Sequence, residues 1–262
     1  MASTHLAVLG SPIEHSKSPA IHAAAYHALG LDWDYGRYRV EANELSDFLR
    51  LRDSTWRGLS LTMPLKEIAF SQAIPSCPVA AETGVVNTLL QTDSGWEGYN
   101  TDSYGIQKAI TEATNTNFEV VQILGSGATA RSAISAVRNL FPSAEISLFA
   151  RREVELMGLQ SSTLEVFEQR EITGLTISTL PGNAVVSNPL VSLDAFLLDV
   201  AYDPWPSRLS SYWPKDNRIS GIEMLLWQAL IQIRIFVNGD GTVPIEDEAS
   251  VFKVMSDSVK QP

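Results

Sequence analysis

One segment near the middle of the chain restricts the fold more than any other. It joins an apolar, β-branched run at Val120–Leu124 to Gly125, then a helical pattern at Ala128–Leu140 and a second apolar run at residues 146–150. Strand, glycine turn, helix and strand in this order form the βαβ unit of a doubly wound nucleotide-binding sheet. Two later apolar runs predict further parallel strands, at residues 175–179 and 196–200.

The residues before this unit predict a second α/β arrangement. Apolar runs and helical patterns follow one another there as strand, helix, helix and strand, at residues 6–10, 19–30, 43–52 and 59–62. Ser18 has the side chain of a helix N-cap, with Pro19 at the first helical position and Gly30 at the stop. Shorter elements are expected after them, at residues 64–73, 85–91 and 96–99.

The length of the chain favours two hydrophobic cores, because single cores tend to divide near about 250 residues and this sequence has 262. We expect an α/β protein of two domains. An N-terminal α/β substrate domain comprises residues 1–103 and about 237–262, and a Rossmann-type doubly wound dinucleotide-binding domain comprises residues 104–236. Two helical segments, residues 222–236 and 246–259, are expected to return to the first domain.

Charge and composition exclude several classes of partner. The formal net charge is -11 and Lys and Arg form no cluster, so we expect no nucleic-acid partner. The most apolar window, residues 224–237, contains Gln228, Gln232 and Arg234, and the first residues lack a signal-peptide core, so we expect neither a membrane span nor secretion. The single cysteine, Cys77, fits a reducing, cytoplasmic compartment. The histidines have no spacing typical of metal ligands, so no metal is expected.

The turn after the first strand of the βαβ unit carries a dinucleotide-binding pattern. Six consecutive residues form it: Gly125, Ser126, Gly127, Ala128, Thr129 and Ala130. Gly125 permits the tight turn, Gly127 lets backbone N–H groups approach a pyrophosphate, and Ala130 lets the helix pack closely. Glycine-rich turns also occur for purely local reasons, but the position of this one between strand and helix favours a nucleotide site.

The residues after the second strand distinguish NAD from NADP. Chains that bind NAD usually have Asp or Glu there, which accepts a hydrogen bond from the ribose 2′-hydroxyl and would repel a 2′-phosphate. This chain has Arg151 and Arg152 instead, and a planar guanidinium suits phosphate contact. We therefore expect NADP(H) as cofactor, with Arg151 ahead of Arg152. The alternative is a pair of solvated arginines, and the neighbouring Glu153 is unfavourable for phosphate.

Four short polar motifs lie at or near the ends of predicted strands in the first domain, where open α/β sheets bind their ligands. They are Ser16-Lys17-Ser18-Pro19, residues 60–66, Val86-Asn87-Thr88 and Asn100-Thr101-Asp102. In this order, ahead of the glycine turn, they resemble the shikimate dehydrogenase family. The resemblance resumes at residues 199–202 and 221–228, so it covers nearly the whole chain.

The resemblance implies a role for each matching position. Lys66 and Asp102 would form the catalytic pair. The residues that would hold the substrate are Ser16, Ser18, Thr62, Asn87, Gln228 and, near the substrate carboxylate, Tyr202. The implied reaction is the reversible, NADPH-dependent reduction of 3-dehydroshikimate to shikimate in aromatic amino-acid biosynthesis. The resemblance allows a homodimer without requiring one.

The residue types suit this chemistry. A hydride that reaches a carbonyl carbon leaves negative charge on the oxygen, which a proton donor and cation such as Lys66 can stabilise. Asp102 can orient the ammonium group, but it also favours the charged lysine, so Lys66 could instead chiefly bind and polarise the substrate. Ser16 and Ser18, beside a helix N-terminus, could hold a carboxylate.

Several of these residues also have a purely structural interpretation. Ser18 could be only an N-cap, Asn87 a turn residue, and Thr101 a helix cap. Lys66 could be a solvated residue at a helix start, and Gln228 could make a structural hydrogen bond on its apolar helix. Their occurrence together in one order favours the functional interpretation.

Two other functions stay open at this point. One is a quinate/shikimate or aminoshikimate dehydrogenase with a broader substrate range, although the Ser-x-Ser form of the first motif favours shikimate. The other is a non-catalytic sensor of NADP or a shikimate-like ligand, which the presence of both Lys66 and Asp102 opposes. The chain departs from the family pattern at Glu14, Ser60, Val85 and Ala150.

Overall fold

The computed structural model describes residues 4–260, and the chain divides into two compact units. Unit 1 comprises the chain up to Thr101 and again from Gln228, while unit 2 comprises Asp102–Trp227. Unit 1 is therefore discontinuous in sequence, and unit 2 is a single segment inserted into it.

The sequence predicts a function for each domain as well as its boundaries. Substrate binding by residues 1–103 and 237–262, and cofactor binding by residues 104–236, stay predictions. Residues 1–3 and 261–262 of the predicted first domain lie outside the described residues.

Unit 1 is built on a mixed sheet of six strands in the order β2-β1-β3-β5-β6-β4. The elements are β1 (Thr4–Gly10), α1 (Ser18–Ala28), β2 (Trp33–Arg39), α2 (Leu45–Arg50), β3 (Trp56–Leu61), α3 (Lys66–Gln72), β4 (Ile74–Pro75), α4 (Pro78–Thr83), β5 (Thr88–Thr92), β6 (Gly95–Tyr99), the later part of α8 (Gly221–Asn238) and α9 (Glu248–Lys260). Strands β2, β1 and β3 are parallel, and β5 runs antiparallel to β3 and β6.

Strand β2 corrects the predicted order, which had two helices in succession between β1 and β3. It pairs with β1 at the edge of the sheet, and most of its residues are only half-buried or exposed. An edge strand has a neighbour on one side only and needs no continuous apolar run. Its mixture of aromatic and charged residues therefore gave no strand signal.

The carboxyl ends of β1 and β3 meet very closely. A Cβ atom on Gly10 would lie 2.4 Å from Cγ2 of Thr62, so this position accepts only glycine without a shift. The N–H of Thr62 donates to the carbonyl of Leu9 at 2.9 Å, and the N–H of Ser11 donates to the carbonyl of Met63 at 2.9 Å. Because the chain leaves β1 toward β2 on one side and returns to β3 on the other, this is a point where open α/β sheets bind ligands.

The C-terminal segment is an integral part of unit 1. Helix α9 packs on α1, and the buried Phe236 of α8 covers β3. A Cβ atom on Gly58 would lie 2.3 Å from the ring of Phe236, which shows how closely helix and strand approach. Burial of a phenylalanine side chain contributes about 1.5–3 kcal/mol, so the fold of unit 1 depends on this segment.

Unit 2 has a sheet of seven strands in the order β15-β14-β12-β7-β8-β10-β9 and a two-stranded sheet, β11-β13. Its elements are α5 (Asp102–Ala113), β7 (Val120–Leu124), α6 (Ala128–Leu140), β8 (Glu145–Ala150), β9 (Glu155–Leu156), β10 (Leu159–Thr163), α7 (Leu164–Glu168), β11 (Glu171–Ile172), β12 (Leu175–Ser178), β13 (Leu190–Val191), β14 (Phe196–Asp199), β15 (Arg218–Ser220), two short 3-10 helices (Ser210–Tyr212 and Lys215–Asn217) and the first part of α8.

The main sheet of unit 2 confirms the predicted doubly wound architecture. Six neighbouring strands from β15 to β10 run parallel, and only β9 is antiparallel. Apolar clusters that include Ile123, Phe149 and Leu198 fill the core of this unit. From β7 the chain moves first to β8 and later crosses to β12, so the order reverses at β7. Among residues 4–260, no helix combines the length and hydropathy needed to cross a membrane.

Candidate functional site

The loop after β1 presents the two serines of the first motif. Ser18 is buried and begins α1, one residue earlier than predicted, with Lys17 as the N-cap residue. The predicted N-cap role of Ser18 is therefore wrong. The Oγ of Ser16 accepts a hydrogen bond from the N–H of Ser18 at 3.3 Å, and the side chain of Lys17 makes no capping bond. The hydroxyl of Ser18 is thus not committed to a cap.

Arg37 of β2 holds this loop from its other side. Its guanidinium donates to the carbonyl of Ser16 at 2.9 Å and also to the carbonyl of Glu14. Both acceptors are backbone atoms, so the contact fixes the path of the loop rather than the side chain of Ser16. The loop shape is therefore set by a residue of the strand that the sequence did not predict.

The turn after β3 carries Thr62 and Lys66. Thr62 follows the last residue of β3, and its carbonyl accepts from the N–H of Leu65 at 2.9 Å. Lys66 is half-buried at the first position of α3, and its carbonyl accepts from the N–H of Val86 at 2.9 Å. These backbone bonds bring the Lys66 motif next to the segment that contains Asn87.

Asn87 is buried at the centre of a cluster of polar side chains. Its Oδ1 accepts from the N–H of Thr101 at 2.8 Å and from the hydroxyl of Thr88 at 2.9 Å. Its Nδ2 donates to Oγ1 of Thr101 at 2.9 Å and to Oε1 of Gln228 at 3.1 Å. Asn87 is therefore more than a turn residue, because it ties three motifs together.

Gln228 makes a structural hydrogen bond, whatever contact it has with a ligand. It is 6% exposed, and its Oε1 also accepts from the hydroxyl of Thr101 at 3.3 Å. Buried amides nearly always find such partners. The interaction explains why a polar residue occurs on the apolar helix α8.

A second buried glutamine, Gln232, lies one helical turn after Gln228 and has no predicted role. It is 1% exposed, and its side chain contacts Ser60 of β3 and His22 of α1. Residues four apart share one face of a helix, so two glutamines at this spacing in an apolar helix were a signal for a polar cluster. His22 gave no comparable signal, because Gln232 is 210 positions away in the sequence.

His22 is neutral in the folded protein. Burial lowers its pKa to about 3, and the hydrogen bond with Gln232 offsets this only in part. The imidazole stacks on the ring of Tyr35, with a centroid distance of 4.0 Å, and its Nδ1 lies 3.0 Å from the hydroxyl of Tyr26. Burial also raises the pKa of both tyrosine hydroxyls, so both stay protonated.

The glycine turn of unit 2 has the geometry expected at a pyrophosphate. Gly125 has φ +114° and a Cβ atom there would lie 2.2 Å from Oγ1 of Thr179, so the turn itself requires glycine. Gly127 has φ -89° and open space around its missing Cβ. Ala130 is fully buried where α6 packs on the sheet. Ser126 is exposed beside the first turn of α6, whose N–H groups lack intrahelical acceptors.

The two arginines follow directly on the end of β8 and are both exposed. Strands β7 and β8 are neighbours, and the N–H of Gly125 donates to the carbonyl of Phe149 at 2.8 Å. The cationic side chains of Arg151 and Arg152 therefore leave the sheet beside the glycine turn. This edge of unit 2 can hold a phosphorylated ribose.

Tyr202 is half-buried in the loop after β14. The buried carboxylate of Asp199 shapes this loop, because it accepts from Oγ of Ser207 at 2.5 Å and from the N–H of Ala201 at 3.3 Å. Burial raises the pKa of Asp199, and the hydrogen bonds to the carboxylate offset part of this rise. The chain thus leaves the sheet at a fixed point before Tyr202.

The predicted site residues fall into two groups. In unit 1, hydrogen bonds join the motifs of Lys66, Asn87 and Gln228, and Ser16 bonds to Ser18. Unit 2 contains Asp102 at the first position of α5, together with Tyr202 and the residues of the predicted cofactor site. Among the described residues, no group of three or more His, Cys, Asp or Glu side chains could hold a metal ion.

Comparisons with known proteins identify the family of the chain. The family model described as shikimate dehydrogenase substrate binding domain matches residues 8–89. A protein of Methanococcoides burtonii named shikimate dehydrogenase (NADP(+)) is 31% identical over 259 residues, which covers 91% of this chain and 94% of the relative. A relative of the same name from Thermus thermophilus is 30% identical over 88% of this chain and 91% of its own length.

Solved structures show the same fold. The crystal structure of Mycobacterium tuberculosis shikimate dehydrogenase is 30% identical, has a TM-score of 0.78, and covers 97% of this chain and 99% of its own. A Thermus thermophilus shikimate 5-dehydrogenase, solved in complex with NADP(H) and shikimate, is 26% identical with a TM-score of 0.79 and covers 98% of this chain and 100% of its own. The resemblance inferred from the motifs is confirmed, and the chain belongs to the shikimate dehydrogenase family.

Proposed function

We propose that this protein is an NADP-dependent shikimate dehydrogenase that reversibly reduces 3-dehydroshikimate to shikimate. The observation that carries the proposal is the buried cluster around Asn87, which unites the motifs of Asn87 and Thr101 with the helix of Gln228. A polyhydroxylated ring acid needs many directional hydrogen bonds and little apolar contact. The side chains proposed to hold it are Ser16, Ser18, Thr62, Asn87, Tyr202 and Gln228.

The residues of unit 2 fit NADP. Gly127 leaves the space that a Cβ atom would fill, at the N-terminus of a helix whose first N–H groups can bind a pyrophosphate. The exposed guanidinium groups of Arg151 and Arg152 follow the neighbouring strand and suit a 2′-phosphate. We propose that these residues, with Ser126, Ala128, Thr129 and Ala130 of the same turn and helix, form the cofactor site.

Lys66 and Asp102 are proposed to perform the proton chemistry. NADPH supplies the hydride when it is bound. The Lys66 ammonium donates a proton to the carbonyl oxygen of the substrate as negative charge develops there, and in the oxidative direction the amine takes the proton back. The proposed role of the Asp102 carboxylate is to accept a hydrogen bond from a substrate hydroxyl and to favour the charged form of the lysine.

A direct assay tests the function. The purified protein is given NADP and shikimate, and NADPH formation is followed by its near-ultraviolet absorbance, with quinate and NAD in parallel reactions. We expect turnover with shikimate and NADP, and a lower kcat/KM with quinate or NAD. Binding of shikimate without turnover would favour the sensor, and equal turnover of quinate would favour the broader dehydrogenase.

The family also implies a cellular setting, which is part of the proposal. A cytoplasmic location and a place in aromatic amino-acid biosynthesis follow from the proposed reaction. The net charge of -11 supports the absence of a nucleic-acid partner. A homodimer is compatible with the proposal, and sedimentation analysis of the purified protein tests it.

A further inference from the structure

Gln232 occupies the centre of a buried hydrogen-bond network in unit 1. A contact with a backbone carbonyl identifies which atom of its side-chain amide is the oxygen and which is the nitrogen. The carbonyl of Asn87 can only accept a hydrogen bond, so the group that faces it at 3.3 Å must be the Nε2 donor of Gln232. The opposite end of the amide is therefore Oε1, an acceptor that faces Ser60 and His22.

Two chains of donors converge on Oε1 of Gln232. In the first, the neutral His22 has a single ring N–H, which must lie on Nε2 to reach Gln232 at 3.3 Å, so its Nδ1 accepts from the hydroxyl of Tyr26. In the second, the hydroxyl of Tyr35 donates to Ser60 at 2.6 Å, and Ser60 donates to Oε1 at 2.8 Å. Both lone pairs of the oxygen are therefore occupied.

The Nε2 atom of Gln232 determines, through Thr88, how the amide of Asn87 is oriented. Nε2 of Gln232 donates to the hydroxyl oxygen of Thr88 at 2.9 Å, so Thr88 has its proton available for Oδ1 of Asn87, 2.9 Å away. The N–H of Thr101 also donates to this Oδ1. The amide of Asn87 is thereby held with Oδ1 toward Thr88 and Nδ2 toward Oε1 of Gln228.

We propose that Gln232 is a positioning residue for the substrate. It sets the hydrogen-bond direction from His22 and Ser60 through Thr88 to Asn87, and it thereby holds the amides of Asn87 and Gln228 in the orientation that the proposed substrate site requires. Gln232 itself contacts no substrate. Burial maintains this direction, since cooperative chains of buried hydrogen bonds polarise one another. The inference rests on the proposed function, because it assumes that Asn87 and Gln228 bind shikimate.

The test compares ligand binding in Gln232→Met with the wild type. Methionine keeps the shape of the side chain and removes all four hydrogen bonds. Isothermal titration calorimetry gives the Kd of shikimate and of NADP for each protein. We expect the Kd of shikimate to rise at least tenfold in the variant and the Kd of NADP to change less than twofold, with the KM of shikimate rising in parallel.

Two further variants distinguish a positioning role of Gln232 from a general destabilisation of unit 1. Thr88→Val removes only the hydroxyl that links Gln232 to Asn87, and it is expected to weaken shikimate binding at least fivefold even if Gln232→Met does not fold. Thr83→Val is the matched control, because Thr83 is equally buried in unit 1 and its hydroxyl bonds to Val79 and Asn100, outside the network. It should bind shikimate like the wild type.

The outcomes distinguish the inference from the proposed function. Shikimate affinity within twofold of the wild type in both Thr88→Val and a folded Gln232→Met would overturn the positioning role. An equal loss of shikimate affinity in Thr83→Val would overturn it as well, since loss of any buried hydroxyl in unit 1 would then weaken binding. A wild-type protein that neither binds nor oxidises shikimate would instead overturn the proposed function.

Discussion

The Nδ2 of Asn87 donates a hydrogen bond to Oε1 of Gln228 over 3.1 Å, although the two residues are 141 positions apart in the chain. This contact joins the two separate segments that form unit 1, one on each side of the inserted unit 2. Both amides are buried and each also bonds to Thr101, so loss of either one leaves one donor or acceptor position of the other unpaired, at a cost of about 1–3 kcal/mol. The proposed substrate site and the closure of unit 1 therefore depend on the same two side chains.

Replacement of Lys66 by methionine should abolish most of the turnover and leave the fold intact. The side chain keeps its apolar stem but loses the proton donor, which is expected to lower kcat about 10²–10⁴-fold. Steady-state rates with shikimate measure the loss, and NADP affinity should stay within twofold. Lys253→Met, at an exposed position of α9, is the control. Turnover of the Lys66 variant near the wild-type rate would contradict the proposed proton chemistry.

Arg151→Ala should change the choice of cofactor. Loss of the guanidinium removes the proposed contact with the 2′-phosphate, which NAD lacks, so the Kd of NADP should rise at least tenfold while that of NAD changes less than twofold. Fluorescence titration with both dinucleotides measures the effect. Arg152→Ala, at the next exposed position, should weaken NADP less. Equal losses for NADP and NAD in the Arg151 variant would refute the assignment.

Alanine substitutions of the two glycines in the proposed cofactor turn should affect different properties, stability in one case and NADP affinity in the other. Gly125→Ala introduces backbone strain at φ +114° and a clash with Thr179, so the free energy of unfolding should fall by about 2–4 kcal/mol. Gly127→Ala meets no protein atom, so stability should change by less than about 0.5 kcal/mol, whereas NADP affinity should fall at least tenfold. Urea unfolding and NADP titration of both variants measure the contrast. Unchanged NADP affinity in Gly127→Ala would place the pyrophosphate elsewhere.

Burial of His22 should make the protein less stable in mild acid. Its folded-state pKa of about 3 lies below the ordinary value of 6.5. Between these values the unfolded chain binds a proton that the folded protein does not, so stability is lost as the pH falls through this range. This group should lower the free energy of unfolding by about 1.4 kcal/mol per pH unit between about pH 6 and pH 4.

Urea unfolding at several pH values measures this effect. In His22→Gln the free energy of unfolding should depend less steeply on pH, so its deficit relative to the wild type should shrink as the solution is acidified. His27→Gln, at an exposed position of the same helix, should follow the wild type. Parallel curves for wild type and His22→Gln would show that His22 is not kept neutral.

The fold could be predicted from the sequence wherever local signals were complete. The βαβ unit from Val120 to Ala150 was confirmed because each element is apolar on its buried side and is followed by a clear break: Gly125 after β7, Pro142 shortly after α6, and Arg151 after β8. Strand β2 was missed because an edge strand needs no such pattern. The two-residue strands β9, β11 and β13 were missed because so short a strand has no periodic pattern and is defined only by its pairing, of β9 with β10 and of β11 with β13.

The sequence suggests residues for the candidate site but does not indicate the contacts between them. Asn87 and Gln228 belong to two separate motifs, and nothing in either motif indicates that the two side chains share a hydrogen bond. The N-cap assigned to Ser18 was wrong because Ser16 accepts its N–H and the helix begins one residue earlier. Gln232 was visible only as one of two polar residues on an apolar helix, and its four partners come from distant parts of unit 1.

The insertion of unit 2 into unit 1 has a consequence for synthesis of the protein on the ribosome. Residues 102–227 emerge as one uninterrupted stretch and contain every strand of their sheet, so that unit can fold while translation continues. The N-terminal segment must wait, because Gln228, Gln232 and Phe236 emerge only after unit 2. Until then His22 and Ser60 lack Gln232, Asn87 lacks Gln228, and the β3 surface lacks its cover. Unit 1 therefore begins to be synthesised first but can complete its fold only after unit 2 has been synthesised.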